Sequence, residues 1–146
     1  MSNFSKPKPP VLFWVLAVIF VVWNLFGCVA YIMDKTMSDA AYAKQYGEAM
    51  LAVRDSYPVW ATAGYAFAVW GGLLAAILFV LRKRLSVLLF GFSFVMAVVS
   101  FLPVFINTEI RTASGDMFWV MPVLVFGLGL IEVFYSRHMA AKGVIA

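Results

Sequence analysis

Val11–Met33 reads VLFWVLAVIFVVWNLFGCVAYIM, a run with one amide, Asn24, and no charge. A hydrocarbon core about 30 Å thick takes roughly 20 helical residues at 1.5 Å each, so this stretch alone is long enough to cross a bilayer. Working outward, three more apolar stretches follow, over 59–81, 85–106 and 117–135. None shows the period-2 alternation of a membrane β-strand, and backbone groups in lipid must be satisfied within the segment, so each is expected to be a helix. The composition agrees. The chain is 64% hydrophobic and 12% charged, against about 45–50% and about 25% in soluble domains. The reading is a single all-α integral membrane domain over 1–146, a four-transmembrane-helix antiparallel bundle.

The charges between the spans are sorted by sign. Lys6, Lys8, Arg82, Lys83, Arg84, Arg137 and Lys142 fall on one side; Asp34, Asp39, Glu48, Asp55, Glu109 and Asp116 fall on the other, with only Lys35, Lys44, Arg54 and Arg111 as bases. The excess of Lys and Arg marks the cytoplasmic side, which puts both termini inside. Trp60 and Trp119 fall at the outer edge and Trp14 near the inner edge, where aromatic anchors belong. The net charge of +4 is thereby explained by orientation, and no basic soluble face remains to track nucleic acid. Lys6 and Lys8 ahead of an apolar run also fit a leader. Leu25-Phe26-Gly27-Cys28 looks like a lipoprotein box, but Phe26 is bulky where a small residue is usual and the run continues to Met33, so it reads as a helix.

The longest connection, 34–57, has its own pattern. Thr36-x-x-Asp39 looks like a capping box, and Tyr42, Tyr46, Met50, Val53 and Tyr57 recur at helical spacing. This predicts an outer amphipathic helix over about 38–54, resting on the membrane or capping the bundle. Residues 107–116 read as a loop. In it, Glu109, Arg111 and Asp116 could meet Arg54 and Asp55 as exposed pairs.

Few residues carry chemistry. Cys28 is the lone cysteine, so a disulfide or a cysteine metal cluster within the chain is ruled out; it reads as a small buried apolar residue. Gly64, Ala68, Gly72 and Ala76 form an i, i+4 small-residue stripe, expected to let helices approach closely in the bundle or in a dimer. Gly127 and Gly129 suit the same role on the fourth helix. Asn24 is the most polar mid-membrane side chain, suited to interhelical bonding or to solute binding. Trp23, Trp70, Tyr65 and Tyr31 fall at neighbouring depths and would give an aromatic pocket with one amide. Glu132 is the one acid inside a span and a functional candidate by that fact. It also falls about one turn from Arg137, near the inner interface, where pairing with Arg82, Arg84 or Arg137 is the structural alternative. His138 reads as a solvated interfacial residue. No nucleophile–base pair, metal spacing or phosphate loop occurs, so no catalytic residue, metal or cofactor is expected and the protein is read as non-enzymatic.

Several phrases combine into a resemblance: Trp23-Asn24-x-x-Gly27, Met37-Ser38-Asp39 leading to Tyr57-Pro58-x-Trp60, Ala68-Val69-Trp70-Gly71-Gly72, the Leu81-Arg82-Lys83-Arg84 turn, Met121-Pro122-Val123 and Lys142-Gly143. Together they resemble a family of small bacterial four-helix membrane proteins often automatically labelled "sugar transporter". The resemblance implies a bacterial inner-membrane protein and a sugar-like small solute. It carries no settled binding residues to transfer. Phe101-Leu102-Pro103-Val104-Phe105 is less typical of it and a candidate kink in the third helix. The four-helix multidrug exporters match poorly, because they place a carboxylate in mid-membrane on the first helix where this chain has neutral Asn24.

Four helices leave little room for a complete transport path in one protomer, so a homo-oligomer or a larger membrane complex is expected. Two functions compete: a small-solute transporter or binding protein, and an accessory subunit of a membrane complex. The first requires Asn24 and Glu132 to face one cavity.

Overall fold

The computed structural model describes residues 7–146; Lys6, assigned above to the inner side, lies outside them. The described residues form seven helices: α1 (Val11–Thr36), α2 (Asp39–Tyr46), α3 (Glu48–Ser56), α4 (Val59–Val80), α5 (Leu85–Ile106), α6 (Thr108–Ala113) and α7 (Val120–Ala141). No strand occurs among them. Helices α1, α4, α5 and α7 are long and apolar enough to cross a membrane. The least apolar is α7, whose best window has a mean hydropathy of 1.5 because it carries Glu132 and Arg137. Outward-facing apolar side chains such as Val59 (84% exposed), Leu88 (69%) and Phe134 (63%) need lipid as their solvent. The chain is a multi-pass, all-α membrane protein.

Helix bounds follow local chemistry. Pro10 and Pro58 stand at the N-caps of α1 and α4 in extended conformation, where a missing N–H costs nothing. The first span runs on to Thr36 rather than Met33. The fourth starts at Val120 rather than 117, because Gly115 (φ +73°) opens a turn over 115–119. It continues to Ala141, since Ser136 and Met139 are buried and hold the extra turn in place. Pro103 falls in the last turn of α5, which runs unbroken to Ile106.

The long helices pack in the order α1–α4–α5–α7. The small-residue stripe lies at the centre of this row. Gly64 faces the α5 backbone, where an added Cβ would sit 3.1 Å from Met96 O and 3.3 Å from Ser100 N. Farther along, Ser93 Oγ donates to Ala68 O at 2.7 Å. The stripe therefore packs helices within the protomer. Gly129 meets the Phe94 ring of α5, whereas Gly127 faces open space.

One end of the bundle, carrying Lys8, Arg82, Lys83, Arg84, Arg137 and Lys142, is closed by rings. Phe13 and Phe79 stand 4.6 Å apart and Phe20 and Phe90 5.7 Å apart. Val144 and Ile145 fold back onto this cluster. Arg82 holds the closure: its Nε donates to Val144 O at 2.7 Å, its Nη2 to Pro7 O at 2.8 Å, and its carbonyl accepts from Ala146 N at 3.1 Å. These bonds offset its left-handed backbone (φ +57°), which costs a non-glycine residue about 1–2 kcal/mol. Pro7 and Ala146 therefore lie at the same end, hereafter the basic end.

The opposite, loop end differs from expectation in four respects. The single helix over 38–54 is two helices, broken at Gly47 (φ +91°), a conformation glycine reaches without strain. The N-cap is Ser38, which accepts from Ala41 N at 3.4 Å. Thr36 instead ends α1 and donates to Ile32 O at 2.8 Å, so the Thr36–Asp39 capping box does not form. The 107–116 loop contains α6, capped by Asn107 Oδ1 accepting from Glu109 N at 2.9 Å and Ile110 N at 3.3 Å. The expected meeting of Arg54 and Asp55 with Glu109, Arg111 and Asp116 is also replaced. Arg54 pairs with Asp39 and, at 3.8 Å, with Asp55. Arg111 donates to Phe105 O at 3.3 Å.

Candidate functional site

Between the four long helices lies a chamber of about 720 Å³, within the range of small-molecule sites. Its floor is one interhelical hydrogen bond. Asn24 Nδ2 donates to Glu132 Oε1 at 2.5 Å and also to Phe20 O at 2.9 Å. Both side chains are buried, at 7% and 4% exposed. Gly72 makes room for the amide: a Cβ there would land on Asn24 Oδ1 and within 2.9 Å of Ser93 Oγ. The stripe on α4 thus does two jobs, close packing against α5 and seating of Asn24.

This arrangement corrects the expected setting of Glu132. It pairs with none of Arg82, Arg84 and Arg137, and it does not lie at the basic end. Its position on α7 turns it toward α1, one layer above the aromatic closure. There Phe20 and Tyr135 stand 6.3 Å apart and seal α1 against α7 beneath the floor. Arg82, one of the three expected partners, is occupied by the chain ends.

The walls rise from this floor toward the loop end. Trp23 and Tyr65 line the chamber, as the depth reading expects. Tyr65 packs edge-on to Tyr31 at 5.2 Å. Trp70 does not line it. It is 47% exposed, since its position on α4 turns away from both α1 and α5 toward lipid. Cys28 is buried and its thiol donates to Val69 O at 3.3 Å. Sequence reasoning missed the α5 wall, Ser93, Ala97 and Ser100. The signal was available: these three recur at i, i+4, i+7, a small and polar stripe on one helix face. Both serines already bond backbone, Ser93 to Ala68 O and Ser100 to Ala97 O at 2.7 Å.

Helices α2 and α3 form the roof. Tyr42, Tyr46, Met50, Val53 and Tyr57, the stripe read from sequence, all face the chamber despite the break at Gly47. Arg54 stitches the roof, pairing with Asp39, donating to Met37 O at 3.3 Å and covering the Tyr42 ring at 4.4 Å. Tyr57 donates to Ser100 O at 2.7 Å, and burial pushes its hydroxyl up to about 12. Tyr46 lines the chamber yet is half exposed, so the space communicates with the surface at the loop end.

Comparison of the chain with protein-family models, with curated proteins and with solved structures finds no match. The reading of the site therefore rests on its own geometry.

Proposed function

We propose that this protein is a non-enzymatic membrane protein that binds, and as an oligomer moves, a small solute held in the chamber between α1, α4, α5 and α7. The observation that carries the reading is that Asn24 and Glu132, the mid-membrane amide and acid, meet on the floor of one shared cavity. An intramembrane acid facing a cavity is a functional group by default, since a carboxylate is costly to hold there for packing alone. The sorting of Lys and Arg supports a cytoplasmic basic end, and the family resemblance supports a bacterial inner membrane. The chamber then opens outward and is sealed inward by Phe13, Phe20, Phe79 and Phe90, as in one state of an alternating-access cycle. With the small-residue stripe buried inside the protomer, oligomer contacts fall to lipid-facing surfaces.

The resemblance to the "sugar transporter" family points to a sugar. A sugar needs many hydrogen-bonding partners, and here Ser93 and Ser100 already donate to backbone carbonyls. Most of the wall is apolar: Phe26, Met33, Met50, Met121 and Val125. The walls favour a solute with a single polar end. The test is native mass spectrometry of protein extracted from its own membrane in mild detergent. A retained small solute, lost when Ala97→Phe fills the chamber, is the expected result. Absence of any solute, with a stoichiometric foreign protein bound instead, would make the chain an accessory subunit.

A further inference from the structure

Charge on the chamber wall is unevenly compensated. Asp34 pairs with Lys35 at 2.9 Å, and Arg54 pairs with Asp39 and Asp55. All of these sit toward the loop end. Among the acidic and basic residues of the described wall, Glu132 alone has no oppositely charged side chain beside it. Its one bonded partner is the neutral amide of Asn24 from α1, and that amide is seated in turn by Gly72 of α4 beside Ser93 of α5, again neutral groups. Asn24 holds one carboxylate oxygen, and no described residue holds the other. An unpaired carboxyl group in an apolar site is a strong acceptor for whatever donor can reach it. Trp23, beside Asn24 on α1, and Tyr65, farther toward the loop end, also line the chamber.

The way to this floor is lateral as well as axial. Helices α1 and α7 are the two edges of the packed row and do not pack along their length. They are joined by the Asn24–Glu132 bond and, beneath it, by Phe20 against Tyr135. Above the bond they stand apart. Phe26 on α1 and Met121 on α7 line the chamber and are also 67% and 55% exposed on the lipid-facing surface. The upper chamber is therefore a slot open to the bilayer, apolar along its sides, with its one uncompensated acid at the bottom.

Resting on the chamber as a solute site, we infer that its ligand is a single-chain organic ammonium drawn from the bilayer. The ammonium donates to Glu132, and the alkyl chain lies between Phe26 and Met121 in the α1–α7 slot. A neutral amphiphile fills the slot but leaves the acid uncompensated. An anionic amphiphile finds no cationic partner at the floor.

The test uses three probes with one chain and different heads: dodecylamine, dodecanol and dodecanoate. Each is titrated calorimetrically at neutral pH into full-length protein in uncharged phosphatidylcholine nanodiscs, with empty nanodiscs subtracted. The amine is expected to bind at least about ten-fold more tightly than the alcohol, with the carboxylate weakest. Glu132→Gln, which keeps size and hydrogen bonding, should abolish that preference and leave dodecanol affinity within about two-fold. Glu132→Asp, which keeps the charge, should retain the order of the three heads, and it decides the matter if the Gln variant does not fold. Equal binding of all three heads, or a preference that survives Glu132→Gln, overturns the ammonium assignment and leaves the chamber a solute site of another class. No binding by any probe overturns both.

Discussion

Gly72→Ala puts one methyl group where the structure has none to spare. The new Cβ lands on Asn24 Oδ1 and lies 3.1 Å from Asn24 Cγ and 2.9 Å from Ser93 Oγ. If Asn24 stays, α1 and α4 must separate, and overpacking of this kind costs about 1–3 kcal/mol. If Asn24 swings away, its bonds to Glu132 and Phe20 are lost, and interhelical bonds in membranes contribute roughly 0.6–1.7 kcal/mol. Either route gives a loss of about 2 kcal/mol. Asn24→Ala removes two of the three close contacts and leaves only the Ser93 hydroxyl, which can rotate. In that background Gly72→Ala should cost less than about 1 kcal/mol. The assay is equilibrium unfolding in mixed micelles by SDS titration, for wild type, both single variants and the double variant. A neutral Gly72→Ala, or an equal cost in both backgrounds, would refute the seating of Asn24 by Gly72.

Two further outcomes follow from the packing and the roof. Gly64→Ala drives a methyl group to 3.1 Å from Met96 O, a backbone atom that cannot rotate away, and should cost about 1–3 kcal/mol; Gly127→Ala, which meets nothing within 4 Å, should be neutral or gain up to about 1 kcal/mol, and the same SDS titration ranks the pair. Tyr57, with its hydroxyl raised to about 12, favours the protonated form when folded, so its contribution is present below the ordinary tyrosine value of about 10 and is lost as pH rises from there through about 12. Tyrosine-selective NMR should show a late-titrating ring that disappears in Tyr57→Phe, and the variant's stability should vary less with pH over that window.

Much of the fold is legible because lipid imposes a strong pattern. Long uncharged runs, sorted bases and end-placed tryptophans locate all four spans, and the third span, 85–106, coincides with α5. Pattern is weaker where single residues decide geometry. Gly47 sits inside a continuous helical stripe, and periodicity does not reveal that its backbone adopts φ +91°. The fold-back of Val144 and Ile145 depends on Arg82, a distant residue that sequence reading treats as a plain topological charge. The site shows the same division. Asn24 and Glu132 are each conspicuous as polar groups in apolar runs, but their pairing spans 108 positions and depends on how α1 and α7 are rotated in the bundle. Sequence proximity favoured Arg137 for Glu132, and rotation favoured Asn24. Trp70 was misplaced for the same reason: depth is readable from position along a span, whereas facing is not when both faces are apolar.

The proposed outward orientation of the chamber is tested most directly by thiol accessibility. In a Cys28→Ala background, cysteine is introduced at Ala97 on the chamber wall or at Ala75 inside the aromatic closure. A small charged methanethiosulfonate is then applied to intact spheroplasts. The account predicts rapid modification at position 97, blocked by Ser93→Phe, and none at position 75. Failure to modify position 97 from outside, or modification of it only in inside-out vesicles, would contradict an outward-open chamber above Asn24 and Glu132.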